Sequence, residues 1–286
     1  MKTSMPPSIV PNPARRKPRR RLPIAGVAGA AVVGFWMLMA VFGPWLAPDD
    51  VGNMNGDAVF APISAQYPLG ADFLGRDMLS RILQGAPYTV GVALAAVLVA
   101  SLGGTALALF AAARGGWFDT VVSRLVDIQL SIPTKLLALI MIAAFGSSVP
   151  VLVLTIGIGY MPGAFRIARS LAVNVQAMEY VQAARARGES LVYITLHEML
   201  PNMLRPVLAD FGLRFLFIVL LLSGLSFLGL GVQPPEADWG SLVRENIIGL
   251  SEGSPAVIVP AIAIATLTIG VNMAIDGFAG RKRRGA

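Results

Sequence analysis

The chain has 286 residues, of which 55% are hydrophobic and 14% charged, with a mean hydropathy of +0.69. Soluble domains carry about 25% charged residues, so this composition excludes that class and defines an integral membrane protein. The net charge of +7 resides in the ends: Lys2, Arg15, Arg16, Lys17, Arg19, Arg20, Arg21 and residues 281–284 are basic, and without those eleven the balance is −4. Such ends read as cytoplasmic retention signals, and no nucleic-acid partner is expected. There is no cysteine, so neither a disulfide framework nor a thiolate metal site is available, and a lone histidine, His197, excludes a multi-histidine site. The chain lacks a GxxxxGK[ST] loop and does not itself hold a nucleotide phosphate in that way.

In chain order, residues 1–21 are rich in proline and arginine and read as a disordered tail. The apolar run Leu22–Leu46 exceeds the about 7–15 residues of a signal-peptide core and is expected to be an uncleaved first span. Ala47–Gly85 is polar, but Phe73, Leu74, Met78, Leu79, Ile82 and Leu83 recur at helical spacing, and Asp77 and Arg81 sit four apart. That pattern predicts a short amphipathic helix lying on the membrane surface. A second span is expected over Tyr88–Ala113, rich in small residues, followed by a tight turn at Arg114–Asp119. A third is expected over Val121–Phe145 and a fourth over Val151–Ala168. The fifth, Val207–Leu230, is expected to stop at Pro234-Pro235, and the sixth, Ala256–Ile275, to kink at Pro260.

Six spans with both termini inside put sixteen basic residues in cytoplasmic segments and three (Arg76, Arg81, Arg244) in the opposite loops. This satisfies the positive-inside rule and assigns Glu179–Pro206 to the cytoplasm. That stretch is almost the only long polar piece in the last two-thirds of the chain. Ionised groups in hydrocarbon cost roughly 2.5–3.5 kcal/mol each, so it lies outside the bilayer. Val175, Met178, Val181 and Gln182 share one helical face, Gly188 permits a reversal, and Glu189-Ser190 can open a second short helix that Pro201 and Pro206 end. On this reading alone the segment is either a docking loop for a soluble partner or an ordinary connection.

The spacing Ala183-Ala184-x-x-x-Gly188, with Leu200-Pro201 after eleven residues, resembles the EAA loop of bacterial ABC importer permeases. Leu69–Ala86 (LGADFLGRDMLSRILQGA), Arg124–Pro133 (RLVDIQLSIP) and Leu225–Val243 (LSFLGLGVQPPEADWGSLV) resemble hallmarks of the dipeptide/oligopeptide/nickel permease family, C-type subunit. The likeness spans about residues 22–280. It implies an all-α membrane fold of the type I importer permease kind, with a permease domain over 22–280 between basic tails at 1–21 and 281–286. It also implies that Gln182, Ala183, Ala184, Gly188, Glu189, Ser190, Leu191, Leu200 and Pro201 couple to an ATPase. Gln182 stands where the family consensus has glutamate, Glu189 replaces a usual small residue, and Tyr193 and His197-Glu198 replace arginine and histidine.

The resemblance implies a non-enzymatic transport subunit in a bacterial inner membrane. Its partners would be a B-type permease, two ATPase chains that hold the ATP and Mg, and an extracytoplasmic substrate-binding protein, whereas this chain binds no cofactor. The expected cargo is a di- or oligopeptide, with nickel or another small solute as the alternative. A stand-alone secondary transporter is the competing class, and it would need coupling-ion sites or an internal repeat, neither of which is seen. Lys135 is expected near the middle of the third span, where family members usually show an apolar residue, and is a candidate for the translocation pathway. The Ala47–Gly85 and Glu236–Asp238–Trp239 segments are expected to face the binding protein.

Overall fold

A computed structural model describes residues 24–50 and 52–279; the two basic tails lie outside the described residues. Apolar runs too long for a globular core become helices: α1 (Ile24–Leu46), α2 (Met78–Arg114), α3 (Gly116–Leu130), α4 (Thr134–Phe145), α5 (Val149–Gln176), α6 (Glu179–Ala186), α7 (Leu191–Phe227), α8 (Trp239–Glu245) and α9 (Ile258–Ala279). Among the described residues the β-structure is one isolated bridge, Ala71 to Asp77. Five helices (α1, α2, α5, α7 and α9) are long and apolar enough to cross a membrane, and α3 with α4 makes a sixth span only if the bent pair is counted as one.

Several expected boundaries move, each for a local reason. The surface helix and the second span are one helix, α2, of 37 residues. Asp77 does not pair with Arg81; it caps α2, its carboxylate accepting from the Leu79 and Ser80 amides, so Phe73 and Leu74 precede the helix. A wide turn at Pro87–Gly91 carries α2 past the missing amide of Pro87. The third span breaks at Ser131–Pro133 into α3 and α4, whose axes differ by 82°. Pro133 has no amide to donate and bars Ile132 from the helical region. In α7, by contrast, neither Pro201 nor Pro206 ends the helix. A wide turn at Ile194–Met199 delivers Pro201 into the first turn of the following segment, and Pro206 costs one backbone bond without stopping it. Pro260 sits in the first turn of α9, where a proline is tolerated, and the helix continues past it to Ala279.

α1 lies on α9 backbone to backbone: a Cβ added at Gly29 would stand 2.5 Å from the Ala274 nitrogen and 2.6 Å from the Gly270 oxygen. In lipid, where burial of apolar surface supplies little, such close approach through small residues holds helices together. Gly26 of α1 meets Gly277 of α9, Gly43 of α1 meets Leu83 of α2, and Arg185 of α6 meets Ala113 at the far end of α2. Ile24, Ala279 and the α6 segment therefore share one side of the bundle. At the opposite side the segments 52–77 and 228–257 fold over the helix ends. Trp239 is their centre: it is fully buried, its indole donates to the Ile82 carbonyl at 3.0 Å, and its ring meets Trp36 edge-on at 4.6 Å.

Candidate functional site

The segment joining α5 to α7 is built on a second hydrophobic core, separate from the one around Trp239. Val181 and Ala184 of α6, with Ile194, Met199 and Met203 of α7, pack against Ala108, Leu109 and Ala111–Ala113 of α2 and Phe165, Ala168 and Ala172 of α5. The Arg185 guanidinium donates to the Ala113 carbonyl at 2.8 Å, satisfying one of the free carbonyls at the end of α2. Gly188 takes φ +78° with open space around it, so glycine is needed there for the reversal and not for room. The Ser190 hydroxyl then accepts from the Tyr193 amide and starts α7.

The residues predicted for this segment fall on two faces. Ala184 is fully buried, Leu200 packs partly buried on the same core, and Glu189 is half-buried with its carboxylate 3.6 Å from Arg187. Gln182, Ala183, Gly188, Ser190, Leu191 and Pro201 are exposed. Tyr180, Val192, Tyr193 and Leu196 join them, giving the tip an apolar outer surface. Met178 does not share the buried face with Val181; it is exposed and precedes α6. Val181, Arg185, Ile194 and Met203 were missed as functional positions. The helical period placed Val181 on a face, but only the fold says what that face meets.

Lys135 is exposed, yet not in the middle of a continuous span: it lies in the first turn of α4, just past the elbow. The elbow is held to α5 in a definite way. Pro162 deprives the Ile158 carbonyl of its helical donor, and the Gln129 amide supplies one at 2.7 Å. Thr134 packs on Gly159. Arg214 of α7 is buried, pairs with Asp210 at 2.7 Å and donates to the Tyr160 carbonyl at 3.0 Å. A proline in α5 is readable in the sequence as a freed carbonyl; which side chain fills it is not.

The far side differs from expectation. Asp238 and Trp239 are buried and cannot face a partner, while Glu236 is exposed. Asp238 caps α8 through the Gly240 and Ser241 amides and also accepts from the Ser226 hydroxyl at 2.6 Å and the Val232 amide. Burial outweighs those bonds and pushes its carboxyl above the usual range. Asp72 and Asp77 are buried too; Asp72 holds Arg76 at 2.6 Å, and Arg81 reaches Glu245 of α8 at 3.2 Å. The buried Asp72 thus holds Arg76 and lies 3.8 Å from Arg81, and these arginines, through Glu245, tie the two outer segments together.

An apolar helical bundle with a polar segment packed on three of its helices at one end, and a hydrogen-bonded cap at the other, is the framework of a multi-span membrane protein. Residues 104–284 match the family described as binding-protein-dependent transport system inner membrane component. The dipeptide transport system permease protein DppC of Alkalihalophilus pseudofirmus is 32% identical over 251 residues, covering 88% of this chain and 83% of that one. The probable D,D-dipeptide permease DdpC of Escherichia coli strain K12 is 33% identical, covering 88% and 84%. The glutathione permease GsiD of Shigella sonnei is 30% identical, covering 90% and 85%. A solved amino acid ABC transporter superposes with a TM-score of 0.50 at 18% identity over 71% of this chain and 93% of its own, a likeness of fold. The chain belongs to the family of binding-protein-dependent inner membrane components: it is a multi-pass permease subunit of an ABC importer, with a transport role and ATPase partners.

Proposed function

We propose that this chain is one of two different membrane subunits of a bacterial importer for di- or oligopeptides, working with a B-type permease, two ATPase chains and an extracytoplasmic binding protein. The side bearing α6 is cytoplasmic, as are the two basic tails, and the permease domain spans residues 22–280. The observation that carries the coupling role is the two-faced α6 segment. Its inner face is fixed to α2, α5 and α7 by a shared core, and its outer face is apolar and exposed at the tip. A partner that gripped Tyr180, Ala183, Leu191 and Leu196 would move three transmembrane helices as a unit. ATP and Mg belong to that partner. Closure of the ATPase pair carries the segment with it and exchanges the two states of the bundle, which requires the partner to bind those states with different affinity.

The cargo follows from the relatives, two of which are named for dipeptides and one for glutathione, itself a peptide. The test is to purify the tagged chain in mild detergent, identify what accompanies it, and measure dipeptide uptake by the reconstituted assembly with its binding protein. Co-purified ATPases, a second permease and ATP-driven dipeptide uptake are expected. A chain that comes alone and still carries flux in liposomes overturns the reading.

A further inference from the structure

Lys135 carries an exposed ammonium, and among the described residues no carboxylate pairs with it. Its depth is set by α5, because Gln129 before the elbow holds Ile158 and Thr134 after it packs on Gly159. Ile158 lies nine residues from the start of α5, about 14 Å along the axis at 1.5 Å per residue, well inside a hydrocarbon layer about 30 Å thick. At that depth an ionised amine does not face lipid without penalty. Nor does the non-helical backbone at Ser131–Pro133, all three residues of which are exposed; such backbone is tolerated in a membrane only against protein or water.

The same level holds the other polar groups of the bundle interior. The Tyr160 carbonyl accepts from Arg214, the Tyr160 hydroxyl donates to the Phe217 carbonyl at 3.3 Å, and Asp210 neutralises Arg214. Gln129, Lys135, Tyr160, Asp210 and Arg214 therefore form a belt across α3, α4, α5 and α7 in otherwise apolar surroundings. With Arg214 paired, Lys135 is the cation of the belt that no carboxylate among the described residues pairs with, and Asp127 stands exposed two residues before Gln129 on α3.

We infer that this belt lines the aqueous route of the solute at mid-membrane, and that Lys135 is a specificity-determining residue favouring solutes that carry a carboxylate. The inference rests on the importer reading above and deepens it. An ammonium beside a narrow water-filled passage attracts an anionic group more strongly than it would in open water, because the low-dielectric walls screen less. A peptide with a free carboxyl terminus fits this chemistry; its C-terminal amide does not.

The chain's lack of cysteine makes a direct test possible. In the reconstituted complex, Lys135→Cys is expected to react with a membrane-impermeant, positively charged methanethiosulfonate. Reaction only with a lipid-permeant maleimide would put residue 135 against lipid or a partner subunit and overturn the inference. Uptake of Ala-Ala is compared with that of Ala-Ala amide in wild type, Lys135→Met and Lys135→Arg. The ratio of free acid to amide is expected to fall about fivefold in Lys135→Met, the size of one exposed ion pair, and to recover in Lys135→Arg. An unchanged ratio overturns the selectivity role, and so does loss of the second permease from purified Lys135→Met, which would mean that Lys135 pairs with that subunit. If wild type takes up neither compound, the peptide reading fails, and the labelling result still decides whether the elbow lines water.

Discussion

Ala183 and Ala184 are adjacent and chemically identical, yet Ala183 is exposed and Ala184 buried, so enlarging each should break a different step. Ala184 is fully buried in the core that α6 shares with α2, α5 and α7. Leucine there adds three carbons to a packed interior, which costs about 1–3 kcal/mol. Two side-chain hydrogen bonds run from α6 to transmembrane helices among the described residues, Arg185 to the Ala113 carbonyl and Gln182 to the Gln176 carbonyl, each worth about 0.5–1.5 kcal/mol. The overpacking is comparable to what those two bonds contribute, so Ala184→Leu should loosen α6 on the helix ends. In the reconstituted complex, Ala184→Leu should keep its ATPases on purification and hydrolyse ATP, but move fewer solute molecules per ATP. Ala183→Leu, on the exposed face, should instead lower recovery of the ATPases. Equal solute-per-ATP ratios in wild type and Ala184→Leu, or loss of the ATPases in Ala184→Leu alone, would refute the two-face assignment.

Three further outcomes follow from the polar contacts. Gln129→Leu leaves the Ile158 carbonyl without its side-chain donor and should cost about 0.5–1.5 kcal/mol of stability. The loss should shrink when combined with Pro162→Ala, which restores the helical amide; additive losses in thermal unfolding of the detergent-purified complex would show that the proline and the glutamine are unrelated. Arg81→Met leaves Glu245 with Arg76 at 3.5 Å as its remaining cation, and removal of one partner of a buried pair costs about 3–5 kcal/mol. The outer segments should then become protease-sensitive before the helices do, and a digestion pattern identical to wild type would count against the network as their tie. Asp238 has a raised folded pKa, so its contribution is full below the unfolded value of about 3.9 and declines as pH rises toward the folded value. Asp238→Asn keeps a capping oxygen and removes the titration, so its unfolding midpoint should vary less than wild type as pH rises from about 4; parallel curves would be the contrary result.

The spans were legible because hydrocarbon imposes a single rule on every residue in a run, and α1, α2, α5, α7 and α9 all obey it by length and apolarity alone. Prolines were read less well because their effect depends on the register around them. Pro133 breaks a span, whereas Pro201 follows a wide turn and Pro206 sits inside a continuing helix. Sequence placed Ala184, Gly188 and Leu200 in one motif, and Gly188 could be assigned its role there because a reversal needs positive φ whatever the neighbours are.

Sequence by itself determined that this protein crosses a membrane several times, carries one long polar segment between α5 and α7, and shares ordered motifs with importer permeases. Those are properties of runs and spacings, which need no partner in space. Tertiary structure alone decided that Ala184 faces inward and Ala183 outward, that Asp238 and Trp239 are buried, and that Gln129 completes the carbonyl Pro162 leaves open. Each depends on which atoms arrive from elsewhere in the chain: 29 residues separate Gln129 from Ile158 and 72 separate Arg185 from Ala113. A residue's own identity states what it can bond to, and only the packing of helices states what is within reach.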